Sequence, residues 1–235
     1  MNRKHHIFIV ILYYFVLIAL VYATLLSFVH VFTIPNPDSV HYKKVLSDRT
    51  IDFVQCVLGL GIFYIPSLLE KRFRVLIPNT MYLMFLLFIF ASIFLGQFLD
   101  FYYYIPYWDI ILHTFSGLFL GTVGFSLVNL LNKMHKISMN PVFVCIFAFC
   151  FAVSLGVIWE IYEFTVDGLL GMNMQKFALG NGTPLIGRAA LCDTMEDLIV
   201  DCLGALFTAI IGYISLHFQQ KWFQRFTFHK NNKGV

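Results

Sequence analysis

Asp109 and His113 stand four residues apart in YWDIILHTFSGLFLG, so on a helix both side chains project from one face. Glu160, Glu163 and Asp167 recur at three- and four-residue spacing in VIWEIYEFTVD, again on one face. DTMEDLIVD places Asp193, Asp197 and Asp201 every four residues along a third stripe, with Asp201 roughly 12 Å along the axis from Asp193 at helical rise. One imidazole among several carboxylates is the donor set of a divalent cation: Mg²⁺ or Ca²⁺ by the oxygens, Zn²⁺ or Mn²⁺ by the mixture. No HExxH and no cysteine ligand spacing narrows the choice of metal, and any cofactor beyond such an ion stays open. A cation held there activates water or grips a phosphate. Without one, the same groups relay protons or take a cationic substrate.

These residues sit in an unusual setting. Hydrophobic residues make up 59% of the 235-residue chain and charged residues only 12%, and the mean hydropathy is +0.77. Apolar runs long enough to cross a bilayer, roughly 20 residues each, cover 7–32, 51–69, 79–99, 108–131, 141–166 and 194–218. The expected fold is therefore an all-α bundle of about six transmembrane helices, one integral membrane domain over 1–235. The first run is too long for an ordinary signal peptide, although Val21-Tyr22-Ala23 resembles a cleavage site. A net charge of +3 gives no case for a nucleic-acid partner; the expected partner is the lipid bilayer. Cys56, Cys145, Cys150, Cys192 and Cys202 form no metal-binding or disulfide framework.

Positive charge orients the chain. With both termini inside, eleven of the 16 Lys and Arg residues fall on the cytoplasmic side. Tyr102–Trp108 and Trp222–Phe223 then supply interfacial aromatics. Of the 13 acids, only Glu70 falls inside. The rest gather at the outer loops, 33–50, 100–107 and 167–192, or at the outer ends of spans. The last of these loops is rich in Gly and Asn and reads as an irregular or re-entrant cap. The expected location is the inner, or plasma, membrane, as a multi-pass protein.

A carboxylate inside a bilayer costs about 2.5–3.5 kcal/mol, so Glu160, Asp197 and Asp201 are expected to face one another across a polar cavity opening outward. Several like charges cannot all stay ionised without a counter-charge: either several are protonated, or Arg188, His113 or a bound cation neutralises them. Asp193 can cap the sixth helix, and Asp109 lies where the dipole of the fourth favours negative charge. Asp52 and Gln55 are possible further contributors.

WDIILHTFSG, WEIYEF and DTMEDLIVDCLGA, in that order, resemble the YjdF-type bacterial inner-membrane proteins over roughly residues 50–218. The resemblance implies a polytopic membrane protein and brings no activity with it. The plan is also distantly similar to the VanZ-like proteins linked to glycopeptide resistance. Asp109, His113, Glu160, Arg188 and Asp197 would match that pattern, with Asp201 where Asn is usual and Arg188 further from Asp197. The reading expected from all this is an outward-facing site acting on or recognising a lipid-linked or envelope small molecule. Glu160, Asp197 and His113 would be its acid/base groups, and Arg188 and Glu163 would contact substrate. Asp109, His113, Asp193, Asp197 and Asp201 would hold the metal. The alternatives are a proton- or cation-coupled transporter and a non-enzymatic membrane assembly or interaction protein.

Overall fold

In the computed structural model, residues 3–33, 42–179, 182–218 and 225–230 are described; Trp222 and Phe223 lie outside them. The chain runs as α1 (Arg3–Phe32), α2 (Tyr42–Phe63), α3 (Ile65–Phe73), the two-residue strand β1 (Val75–Leu76) and α4 (Asn79–Ile89). A π-helical stretch, Phe90–Phe98, continues α4 without a break. Then follow α5 (Phe101–Tyr104), α6 (Trp108–His135), α7 (Pro141–Leu170), a 3₁₀ turn (Gly187–Leu191), α8 (Cys192–His217) and strand β2 (His229–Lys230). Six helical stretches among the described residues are long and apolar enough to cross a membrane: Ile7–Phe32, Val45–Phe73, Asn79–Phe98, Trp108–His135, Pro141–Leu170 and Gly187–His217. The protein is an all-α polytopic membrane protein, with β1 and β2 as a short antiparallel clasp pairing Val75 with Lys230 and Leu76 with His229.

The helices overrun the apolar segments that predict them. The second span begins at Tyr42 rather than at 51, so much of the expected 33–50 loop is helix, and residues 34–41 lie outside the described part. It kinks at Tyr64, because Pro66 lacks an N–H and its ring crowds the carbonyl one turn back. The fifth span continues to Leu170, so Asp167 is helical rather than part of the loop. Local chemistry sets its ends. Asn140 accepts the Val142 N–H at 2.8 Å and Pro141 occupies the first turn, while Gly171 at φ +68° ends the helix in the left-handed conformation. Charged and polar ends lower hydropathy without costing helix, which is why the apolar runs are shorter than the helices.

Two apolar cores hold the bundle. Val16, Leu20, Phe63, Leu86 and Ile89 join α1, α2 and α4. Phe125, Val128, Val144, Cys145, Ala148 and Ala209 join α6, α7 and α8. Phe88 and Phe115 stack at 5.9 Å across the seam between the two halves. Phe8, Ile11, Phe15, Ile18 and Leu25 stay exposed along α1, the surface a lipid tail would cover. Lipid offers no hydrophobic drive between helices, so small residues must let backbones meet. On α6, a Cβ at Gly117 would strike the Asp201 carbonyl; on α8, one at Gly204 would lie 2.6 Å from the Thr114 carbonyl oxygen. This interlock of α6 and α8 brings Asp109 and His113 beside Asp193, Asp197 and Asp201.

Candidate cation site

The acid-bearing stripes of α6, α7 and α8 converge at one end of the bundle, as the spacing predicts. His113 is 6% exposed and stands at the centre. Its Nδ1 lies 3.1 Å from Asp201 Oδ2, while Nε2 faces Asp109 Oδ1 at 3.7 Å and Asp197 Oδ2 at 3.9 Å. An ionised carboxylate only accepts, so a proton on Nδ1 is directed at Asp201, while Nε2 faces the gap between the other two acids. Ser116 locks Asp201 from the opposite side, donating to Oδ1 at 2.5 Å. Gly156 on α7 leaves the room that Asp201 fills; a Cβ there would sit 2.5 Å from its Oδ2.

One donor atom each from Asp109, His113 and Asp197 lies within 4.8 Å of the others. A tetrahedral site with bonds of about 2.1 Å spaces its ligand atoms about 3.4 Å apart, so the most widely spaced of these atoms would have to draw together by up to about 1.4 Å to close on an ion. The carboxylates around it are not satisfied. Asp197 is 1% exposed, and its Oδ2 is buried without a hydrogen-bond partner among the described residues. Asp193 Oδ2 and Glu160 Oε1 are in the same state. Buried polar atoms without partners are rare and costly.

Other expected residues take different places. Asp201, counted above among the metal ligands, contacts His113 Nδ1 and Ser116 Oγ, one through each of its oxygens. Asp193 is not the cap of α8: Leu191 holds the N-cap position without a side-chain bond, and Asp193 lies in the first turn. Glu163 accepts from Trp159 Nε1 at 2.9 Å. Asp167 accepts the backbone N–H groups of Met174 at 2.7 Å and Gln175 at 3.0 Å, and so fastens the loop after α7. Arg188 is exposed in the 3₁₀ turn and forms no ion pair with these acids among the described residues. Asp52 is paired elsewhere, accepting from Gln97 Nε2, and Gln55 reaches Met174 Sδ in the loop.

Instead of a cavity open to one side, the loop after α7 folds over the acids. Lys176 Nζ donates to Asp109 Oδ2 and to Asp193 Oδ1, each at 2.6 Å. Burial pulls the Lys176 ammonium toward losing its proton, but Asp109 and then Asp193 overcome this and hold its pKa above the ordinary lysine value. Gln175 Nε2 bonds Thr194 Oγ1 at 2.8 Å and Glu160 Oε2 at 3.3 Å. Sequence reading missed both side chains. The available signal was that Lys176 is the single charged residue of the stretch 168–187, between two helices full of acids. Tyr102, read above as an interfacial anchor, was missed as well. Its phenol is held well above its usual range, first by burial and then by Asp109, Glu163 and Asp197, which places it against the same cluster.

Comparison with known proteins agrees with the fold and is silent on activity. Residues 7–217 match the family model described as "Predicted membrane protein (DUF2238)". An uncharacterized protein of Thermotoga maritima is 37% identical over 161 residues, which is 66% of this chain and 76% of that protein. No solved structure matches. The match spans all six membrane-crossing helices and the three acid-bearing stripes, and the chain belongs to the DUF2238 family of predicted membrane proteins.

Proposed function

We propose that Asp109, His113 and Asp197 form a divalent-cation site at the outward-facing end of a plasma-membrane protein, and that the site serves a lipid-linked or envelope substrate. One observation carries the reading. Asp197 Oδ2, buried and without a partner, lies 3.9 Å from a histidine nitrogen whose other nitrogen is already held by Asp201. A carboxylate behind a metal-ligating histidine fixes its tautomer and orientation; here Asp201 has that part and Ser116 holds Asp201 in turn. Asp193 and Glu160 offer further oxygens from their unpartnered atoms.

A cation at this position polarises a phosphoryl or carbonyl oxygen, or lowers the pKa of a bound water. Glu160, with Oε1 unpartnered, is then the acid/base group. Arg188, from the adjoining turn, is the cationic group for an anionic headgroup, and Glu163 is a further substrate contact. The distant VanZ-like likeness of the sequence supports an envelope substrate. So does the position of the site at the end of a bundle, where lipid headgroups lie.

The test is metal content. Detergent-purified protein, prepared without chelator and reloaded with Mn²⁺ or Zn²⁺, should hold one ion per chain. Asp197→Asn should fold and hold none. A well-folded wild type that binds neither ion would sink the reading.

A further inference from the structure

The geometry points to Lys176 as a tethered competitor for this site, an ammonium that fills its mouth and makes it selective for multivalent cations. The inference rests on the cation-site reading and adds what guards it. Asp109 is shared: Oδ2 takes Lys176 at 2.6 Å, while Oδ1 faces His113 Nε2 at 3.7 Å. Asp193 is shared in the same way, with Oδ1 on Lys176 and Oδ2 buried without a partner. The ammonium therefore satisfies the outer oxygens and leaves Asp197 Oδ2 and Glu160 Oε1, deeper in, unmatched.

The loop is built to deliver that side chain. Asp167 holds the N–H groups of Met174 and Gln175, Gln175 is bonded to Thr194, and the Asn173 side chain both donates to and accepts from the Ala178 backbone. Lys176 itself sits at φ +46°, a left-handed conformation unfavourable to any L side chain, and the fastened residues on either side hold it there. Its side chain is 43% exposed, so the ammonium can swing into water without unfolding the loop.

Tethering sets the selectivity. A group fixed to the site by a short loop competes at an effective concentration on the order of millimolar or higher. A monovalent ion gains no more from each carboxylate than the ammonium does and does not win. A dication gains about twice the Coulomb energy from each acid and also takes the histidine nitrogen. Binding then transfers Asp109 from Lys176 to the ion and frees the ammonium.

Mn²⁺ titration, with bound ion counted by electron paramagnetic resonance, tests this on wild type and Lys176→Met. If the closed form dominates the free protein, removing it should tighten Mn²⁺ binding about tenfold or more, and Na⁺ should compete in the variant but not in the wild type. In the wild type, acetylation of Lys176, followed by mass spectrometry, should speed up when Mn²⁺ saturates the site, with Lys133 at the far end of α6 unchanged. Equal or weaker affinity in Lys176→Met, with Asp197→Asn still abolishing binding, would leave the cation site standing and overturn the lysine's role. Unchanged Lys176 reactivity at saturation would do the same, and that arm needs no variant to fold. Absence of both Mn²⁺ and Zn²⁺ from the two proteins would remove the cation site and this inference together.

Discussion

The two ends of the α6–α7–α8 unit both bury polar groups, and they do it differently. At the end away from the acids, Ser126 is fully buried; it donates to the Phe226 carbonyl at 2.7 Å and accepts the Phe228 N–H at 2.9 Å. Nearby, Glu70 accepts the Ile77 N–H at 2.8 Å beside the β1–β2 clasp. Around Ser126 and Glu70 donors and acceptors close on each other and tie the C-terminal segment to the bundle, while Asn132 Oδ1, at the same end of α6, is buried without a partner among the described residues. At the acidic end, Asp193, Asp197 and Glu160 each keep a buried oxygen with no partner. Closed polar burial is what a structural tie requires. A buried carboxylate with an open oxygen is either neutralised by a proton or completed by a further group.

The largest expected effect removes the comparison altogether. Gly117→Val would drive its side chain into the Asp201 backbone and separate α6 from α8. Overpacking costs typically 1–3 kcal/mol, and an obstacle of backbone should bring it to about 3 or more. Thermal unfolding in detergent should show that loss together with loss of cation binding. Gly168→Ala, on α7 where an added Cβ meets nothing, is the control and should be neutral or stabilising.

Ser126→Ala separates the two ends. It removes the bonds to the Phe226 carbonyl and the Phe228 N–H and should cost about 1–3 kcal/mol. Mn²⁺ affinity should not change, because the tie lies at the other end of α6. A parallel fall in cation binding would show that the ends are coupled and that the contrast between them is too sharply drawn.

How far the sequence reveals this depends on the range of each interaction. Spans, faces and the meeting of three acid stripes follow from hydropathy and four-residue spacing, which are local and periodic. The distinct parts of Asp197 and Asp201 do not. Both lie on the same stripe of α8, and only the packing of Gly117 and Gly156 against Asp201 turns it toward His113 Nδ1 and leaves Asp197 to Nε2. Lys176 was hidden for a related reason. Its partners lie 67 and 17 residues away, and its reach depends on loop bonds from Asp167 and Asn173 that carry no periodic signal. Ser126 looks like one more small residue of a transmembrane helix until the C-terminal segment returns to it, 100 residues later.

The smallest effect on stability should come with a graded effect on binding, and it distinguishes orienting groups from ligands. Asp201→Asn keeps the size and both contacts of the side chain. The amide oxygen can accept from His113 Nδ1, and the amide nitrogen can donate to Ser116 Oγ, which still has the His113 carbonyl at 2.8 Å for its own proton. Folding should change by no more than about 1 kcal/mol, the net worth of an ordinary hydrogen bond. What is lost is the charge that makes the imidazole a stronger base. Loss of a partner behind a metal-ligating histidine typically weakens metal binding about 10–100-fold, and Mn²⁺ titration should show a loss in that range, short of abolition. Asp197→Asn should abolish binding, because it removes a donor from the ion itself. Equal losses in the two variants would mean that Asp201 touches the ion directly. No loss in Asp201→Asn would mean that the Nδ1 contact closes on itself as Ser126 does, and the acidic end would then have to be read as a second structural tie.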